Sequence, residues 1–339
     1  MKKYNVAIVG ASGAVGQQLI KILEERNFPV GELKMCATTR SAGKELFFQG
    51  KPYIVEVTTP DSFIGMDIAL FAGGVASKEF GHAAVEKGAV VIDNSSNFRM
   101  DPTVPLVVPE VNPEDIKWHR GIIANPNCST IQMVVALKPI HDAAVIKRVV
   151  VATYQAVSGA GREGISELMS QTKSVMEQGE VKSKVFQHQI AFNLIPHIDV
   201  FMDLDYTKEE WKMVRETQKI LHDDSMAITA TTVRVPVPRS HSEAINIETE
   251  KKLTAAEAKK LFAEFPGIIV IDDPAENKYP MPTISSHRDE VFVGRIREDN
   301  SIANGLNIWV VADQIRKGAA TNTIQIAELL VRYGCLPGK

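Results

Sequence analysis

Cysteine is scarce in this chain: three in 339 residues, at Cys36, Cys128 and Cys335. The odd count, wide spacing and lack of any CxxC exclude a disulfide framework and a cysteine-based zinc site. Charge of one sign is lacking too, with 38 basic against 41 acidic residues. That balance gives no footing for nucleic acid or an anionic membrane surface. No apolar run approaches the roughly 18 residues of a membrane span, and Met1-Lys2-Lys3-Tyr4 leads into a strand-like run, not a signal peptide. Repeats and low-complexity stretches are missing. The expectation is a soluble, unexported, cytoplasmic protein without a metal. What is present is ordinary globular composition, 45% hydrophobic and 23% charged, at a length that suits two domains.

The first half alternates short apolar runs with helix-period segments. Val6-Ala7-Ile8-Val9 predicts a buried strand. A helix with Leu19, Ile22 and Leu23 on one face follows, ended by Asn27-Phe28-Pro29. Further strands are expected over 33–37, 68–71, 89–92 and 122–124, and helices over 83–87 and 129–137, the last closed by Pro139. This alternation predicts an α/β fold with a Rossmann-type doubly wound parallel sheet. From about residue 147 the texture becomes strand-rich, with runs over 147–156, 228–246, 291–297 and 306–311. Thr207 and Thr254 open helices with capping-box patterns. This half predicts a second α+β domain on a mixed or antiparallel sheet, and a long last helix over 312–332 returns to the first domain. The expected division is 1–127 plus about 315–339, against 128–314.

Gly10-Ala11-Ser12-Gly13-Ala14-Val15-Gly16 joins the first strand to the first helix. Glycines let the backbone turn sharply beside a pyrophosphate, and the helix start offers N–H groups. The spacing is GxxGxxG, not the commoner GxGxxG, and in isolation it would describe a tight turn. Its place at the start of a βαβ unit favours a dinucleotide. About 20 residues on, an NAD site would carry an acidic residue for the ribose 2′-OH. This chain has Thr38-Thr39-Arg40-Ser41, and a guanidinium with hydroxyls suits a 2′-phosphate. NADP is therefore expected over NAD.

Asn125-Pro126-Asn127-Cys128-Ser129-Thr130 lies between a strand and a helix. A cysteine at a helix N-terminus has its thiol lowered from about 8.5 by the dipole and the exposed N–H groups. Cys36 sits inside a strand and Cys335 in the tail, so Cys128 alone has a catalytic context.

Several ordered segments together resemble the aspartate-β-semialdehyde dehydrogenase family of bacterial type, from end to end. They are GASGAVG (10–16), IDNSSNFRM (92–100), NPNCST (125–130), TYQAVSGAG (153–161), VRVPVPRSHSEA (233–244) and ADQIRKGAA (312–320). The resemblance implies reversible, NADP-dependent conversion of L-aspartate 4-semialdehyde and phosphate into L-4-aspartyl phosphate, on the route to lysine, threonine, methionine and isoleucine. It implies Cys128 as a nucleophile that forms a thioester, His241 as acid/base and Gln155 beside the substrate. Ser158, Gly159, Gln314, Asn94 and Ser96 match cofactor-contacting positions. Arg234 matches the clamp for the substrate carboxylate, Glu209 the position that faces its ammonium in the family, and Lys212 and Arg99 the family's phosphate-binding cations. A homodimer or homotetramer is implied as well. By spacing alone, His241 is no better placed than the other seven histidines, and Glu209 with Lys212 would be a surface ion pair.

Three other readings compete. An N-acetylglutamyl-phosphate reductase shares the thiol chemistry, but its substrate has a blocked amine and no use for Glu209. Glyceraldehyde-3-phosphate dehydrogenase usually takes NAD, which Arg40 disfavours. A catalytically silent dinucleotide-binding sensor would need the glycine turn but not Cys128, His241 and Arg234.

Overall fold

The computed structural model describes residues 2–336. The chain forms two compact units: one runs to Asn127 and resumes at Ala319, and the other is Cys128–Gly318.

In the first unit, strands β1 (Tyr4–Val9), β2 (Val30–Ala37), β3 (Glu45–Phe48), β4 (Lys51–Ile54), β5 (Glu56–Val57), β6 (Ile68–Phe71), β7 (Val90–Asp93) and β8 (Ile122–Ala124) alternate with helices α1 (Ala14–Glu25) and α2 (Gly74–Glu86). Six of the strands form a parallel sheet in the order β5-β2-β1-β6-β7-β8. Val6, Ile8, Ile68, Leu70, Val90 and Ile92 are fully buried, as expected where helices cover both faces. The order reverses beside β1, and ligands bind at the carboxyl ends of the strands near such a switch. The remaining pair, β3 and β4, is a small antiparallel hairpin that the sequence reading missed.

In the second unit, α3 (Cys128–Ala144) is followed by β9 (Ile146–Ala156), α4 (Gly161–Met176), α5 (Lys208–Leu221), β10 (Ala227–Val235), β11 (His241–Thr249), α6 (Ala255–Glu264), β12 (Ile268–Val270), β13 (Val291–Asp299) and β14 (Gly305–Ala312). These strands make one mixed sheet, β10-β9-β11-β14-β13-β12. β10 runs parallel to β9, while β11 is antiparallel to both β9 and β14. α3 and α5 pack on one face. Helix α4 was also missed.

Three expectations are corrected. Pro139 does not close its helix but lies inside α3. An interior proline costs ~3 kcal/mol. Ile131, Met133, Val134, Val135, Leu137 and Ile140 are all fully buried, and at roughly 1.5–3 kcal/mol each their burial outweighs it. The run over 228–246 is two strands, broken at Pro236 to Ser240, and they flank β9 without pairing with each other. The terminal helix begins later than expected: a π turn, Arg316–Ala320, precedes α-helix Thr321–Tyr333. Asp313 sets the delay, because its carboxylate accepts the N–H groups of Ile315 and Arg316 at 2.9 and 3.1 Å. The C-terminal helix packs in the first unit, against α1 and β7.

Thr207 and Thr254 cap α5 and α6 as expected, each in a reciprocal pair with Glu210 and Glu257. Thr254→Ala should lower stability by about 1 kcal/mol, and Thr254→Gly by only a few tenths. Equal denaturant midpoints for parent and alanine variant would show that the cap contributes nothing.

Candidate active site

The glycine turn stands at the carboxyl edge of the first unit's sheet. Gly10 and Ala11 donate to Cys36 O at 2.8 and 3.1 Å, which ties the turn to the end of β2. Gly10 has φ +84°, a left-handed conformation that favours glycine. A Cβ on Gly16 would lie 2.2 Å from Gly10 O, so only glycine lets α1 start so close to the turn. Gly13 is the N-cap, and no side chain among the described residues caps the helix. Ser12, Ala14 and Val15 complete a cradle of backbone donors that fits a pyrophosphate. At the end of β2, a 3₁₀ turn holds Arg40 exposed and Ser41 buried. Along the same edge, Asn94 donates to Phe71 O at 3.0 Å and accepts from Thr323 at 2.9 Å. Ser96 is exposed. The buried Asp93 takes the N–H and hydroxyl of Ser95 at 3.0 and 2.6 Å; burial raises its carboxyl against those hydrogen bonds. Arg99 is buried, its guanidinium held by the carbonyls of Asn125 and Asn94 at 3.0 and 2.9 Å.

In the second unit, strand alternation sets the site. Gln155 and Thr153 on β9, Arg234 and Thr232 on β10, and His241 and Glu243 on β11 share the face under α3 and α5. Cys128 is the first residue of α3. Gly318 approaches it so closely that a Cβ there would lie 3.0 Å from Cys128 Cβ.

Arg234 is buried and donates to Ala156 O at 2.8 Å. Burial pulls its guanidinium down, and the charges of Glu209 and Cys128 oppose that pull. His241 is fully buried. Its Nδ1 accepts the Ala156 N–H at 3.0 Å, so the neutral ring carries its proton on Nε2, which has no partner among the described residues. Burial, with Arg234 second, holds the imidazole down at about 3, although Glu209 acts in the opposite direction. Gly159 closes this corner: a Cβ would stand 2.6 Å from Arg234 Nη1 and 3.4–3.5 Å from the His241 ring. Ser158 and Gln314 share a short hydrogen bond, and Gln314 also accepts from Ser240 N at 2.8 Å.

Gln155 donates to Glu209 Oε1 at 3.1 Å. The Glu209 and Lys212 pair is no surface bridge: Glu209 is buried, and Lys212 reaches both it and Asp199, at 3.0 and 2.9 Å. Burial lowers Lys212, but the two carboxylates outweigh it and raise the ammonium. Asp199, held below its ordinary range against burial by Lys212, escaped the sequence reading; nothing in Pro196-His197-Ile198-Asp199 marks it.

Comparison with known proteins bears on this geometry. The family described as "Semialdehyde dehydrogenase, NAD binding domain" matches residues 5–119, and "Semialdehyde dehydrogenase, dimerisation domain" matches 137–317. An aspartate-semialdehyde dehydrogenase of Aquifex aeolicus is 60% identical over 338 residues, covering 98% of this chain and 99% of its own. The chain belongs to the aspartate-semialdehyde dehydrogenase family. The Bacillus subtilis family member is 50% identical, over 96% of this chain and 97% of its own. A Vibrio cholerae aspartate semialdehyde dehydrogenase II solved in complex with ASA superposes with a TM-score of 0.96 at 49% identity, covering 98% and 99%. The Candida albicans family member, solved with NADP, gives 0.77 at 26% identity, covering 99% and 100%. No helix among the described residues is long and apolar enough to cross a membrane, and no acidic, cysteine or histidine cluster among them could hold a metal.

The depressed His241 value has a consequence for stability. As pH falls below 6.5, the unfolded chain protonates this residue first, so the folded state loses ground until about pH 3. The parent should lose up to about 1.4 kcal/mol per pH unit more than His241→Asn between about pH 6 and 4. Parallel curves of unfolding free energy against pH would refute a buried neutral ring.

Proposed function

We propose that this chain catalyses the reversible, NADP-dependent conversion of L-aspartate 4-semialdehyde and phosphate into L-4-aspartyl phosphate, serving lysine, threonine, methionine and isoleucine biosynthesis. The observation that carries the reading is the buried corner in which Arg234, His241, Gln155 and Glu209 converge under α3, with Gly159 leaving them room. A buried cation and a buried carboxylate together suit a small substrate that carries both charges. The ASA bound by the Vibrio cholerae relative is consistent with such a substrate.

NADP, when bound, supplies the acceptor for a hydride. The glycine turn would hold its pyrophosphate and Arg40 with Ser41 its 2′-phosphate, while Asn94, Ser96, Ser158, Gly159 and Gln314 would contribute further contacts. The Candida albicans relative solved with NADP supports this preference, as does the lack of an acidic residue at the end of β2.

The Cys128 thiolate adds to the aldehyde carbon. The S–C bond forms and the carbonyl electron pair moves onto oxygen. With its proton on Nε2, His241 donates a hydrogen bond to that oxyanion, as a neutral imidazole does when it acts as an electrophile. The resemblance implies an acid/base role for this ring, and hydrogen-bond donation to the oxygen is the part of it that a neutral imidazole with its proton on Nε2 can play. Gln155 orients the same oxygen without adding charge. Loss of hydride leaves a thioester on Cys128. A phosphate oxygen then attacks the carbonyl, the C–S bond breaks, and sulfur leaves as thiolate. Arg234 clamps the substrate carboxylate and Glu209 its ammonium. Lys212 and Arg99 each supply a phosphate-binding cation, and for Lys212 this means exchanging a carboxylate partner for phosphate. The chain works as a homodimer through its second unit. The dimerisation-domain match supports this, as do the exposed apolar Tyr154, Met169, Phe192, Phe201 and Leu204.

The decisive assay is NADPH formation from aspartate semialdehyde with and without phosphate, run beside N-acetylglutamate semialdehyde. Only the aspartyl substrate should turn over, and only with phosphate. Cys128→Ala should bind NADPH as the parent does yet form none; substantial residual turnover would exclude the thioester. Arg40→Asp should weaken NADP at least tenfold and leave NAD nearly unaffected, whereas equal losses for both would remove Arg40 from the 2′-phosphate.

A further inference from the structure

One buried acid has no part in that chemistry. Glu243 lies one pleat along β11 from His241, on the same face, and is fully buried. Gln132 stands over this strand from α3, one helical turn after Cys128, with its amide 3.5 Å from His241 O. Gln132 is fully buried as well, and among the described residues its Oε1 has no donor, nor has either carboxyl oxygen of Glu243. Three acceptor atoms therefore sit in a dry space short of a proton. A carboxylate left this way would pay a large desolvation cost with nothing to offset it.

We propose that Glu243 is kept as a neutral carboxylic acid paired with the Gln132 amide, and that this pair is a positioning element holding the first turn of α3, and so Cys128, in register with His241. An acid and an amide are complementary: the acid O–H donates to Gln132 Oε1, and the amide N–H donates to the acid carbonyl, so all three orphan acceptors are reduced to ordinary partners. Burial holds the Glu243 carboxyl well above the usual range, and the Gln132 amide is the group that acts against it. Among the described residues no charged group offsets the burial. β9 presents Thr153 and β14 presents Val310 on either side, and α3 presents Gln132. The other ionisable groups of this face, Arg234, Glu209 and the neutral His241, act on one another. Neutrality has a use here: an ionised Glu243 would set a negative charge behind a sulfur that must itself become an anion. The catalytic consequence rests on the thioester reading above, while the protonation of Glu243 does not.

The full-length protein carries the test. Infrared difference spectra of parent against Glu243→Gln at pH 8 should show the carbonyl band of a protonated carboxylic acid, lost in the variant. Glu243→Leu and Gln132→Leu should each lower kcat at least tenfold with KM little changed. Glu243→Gln, which keeps an amide in place of the acid, should recover most of that loss. The pH midpoint of Cys128 alkylation by iodoacetamide should be the same in Glu243→Gln as in the parent. An absent acid band, an alkylation midpoint moved to lower pH by Glu243→Gln, or parental kcat in Gln132→Leu would each overturn the proposal. Where a leucine variant does not fold, the infrared band and the alkylation profile decide. A parent that is inactive on aspartate semialdehyde but shows the acid band would defeat the thioester reading and leave the acid–amide pair standing.

Discussion

A buried guanidinium is the constraint around which the second unit is arranged. Arg234 is only 7% exposed, and one carbonyl, Ala156 O, cannot balance a full positive charge in a dry interior. The surroundings answer in three ways. Glu209 is buried near enough to act on it, and Cys128 contributes negative charge whenever its sulfur ionises. Gly159 has no side chain to push it aside. The same cation helps keep His241 neutral, with its remaining proton on Nε2. One charge thus attracts an ionised Cys128 sulfur and disfavours the His241 cation.

Backbone and side chain cooperate in this arrangement through strand register. Because residues two apart on a strand share a face, the neighbours Gln155, Arg234 and His241 are placed by the pairing of β9, β10 and β11 and not by loops. Ala156 holds the corner from both sides: its N–H fixes the His241 tautomer and its C=O anchors Arg234. A one-residue slip of β11 would turn His241 and Glu243 to the opposite face together.

The parallel sheet of the first unit was legible because buried parallel strands are continuous apolar runs, such as Val6 to Val9 and Ile68 to Phe71. Glycine spacing and the capping boxes were local chemistry and could be read in place. Where tertiary packing overrode a local rule, reading failed. Pro139 looks like a stop in sequence, but α3 is buried along its length and runs through it. At the strand break before His241, Ser240 N–H donates to Gln314, far away in the chain, and the local sequence does not reveal that partner; the π turn follows from a local bond to Asp313 that no helix periodicity signals. Within the site, Cys128 stood out by its place between a strand and a helix. His241, Arg234 and Glu209 were visible only through the family resemblance, since an exposed and a buried arginine look alike in a sequence. Asp199, Gln132 and the Ala156 backbone left no mark at all.

Arg40 differs from all of these in how little of the fold depends on it. It sits exposed on a single 3₁₀ turn beyond β2, outside the hydrophobic core. The residue expected to choose between phosphorylated and unphosphorylated coenzyme is therefore also one of the most replaceable. If Arg40 makes that choice as proposed, a lineage could redirect the enzyme from one reductant pool to the other by changing this tip, while the buried corner of Arg234 and His241, locked into strand register, stayed as it is.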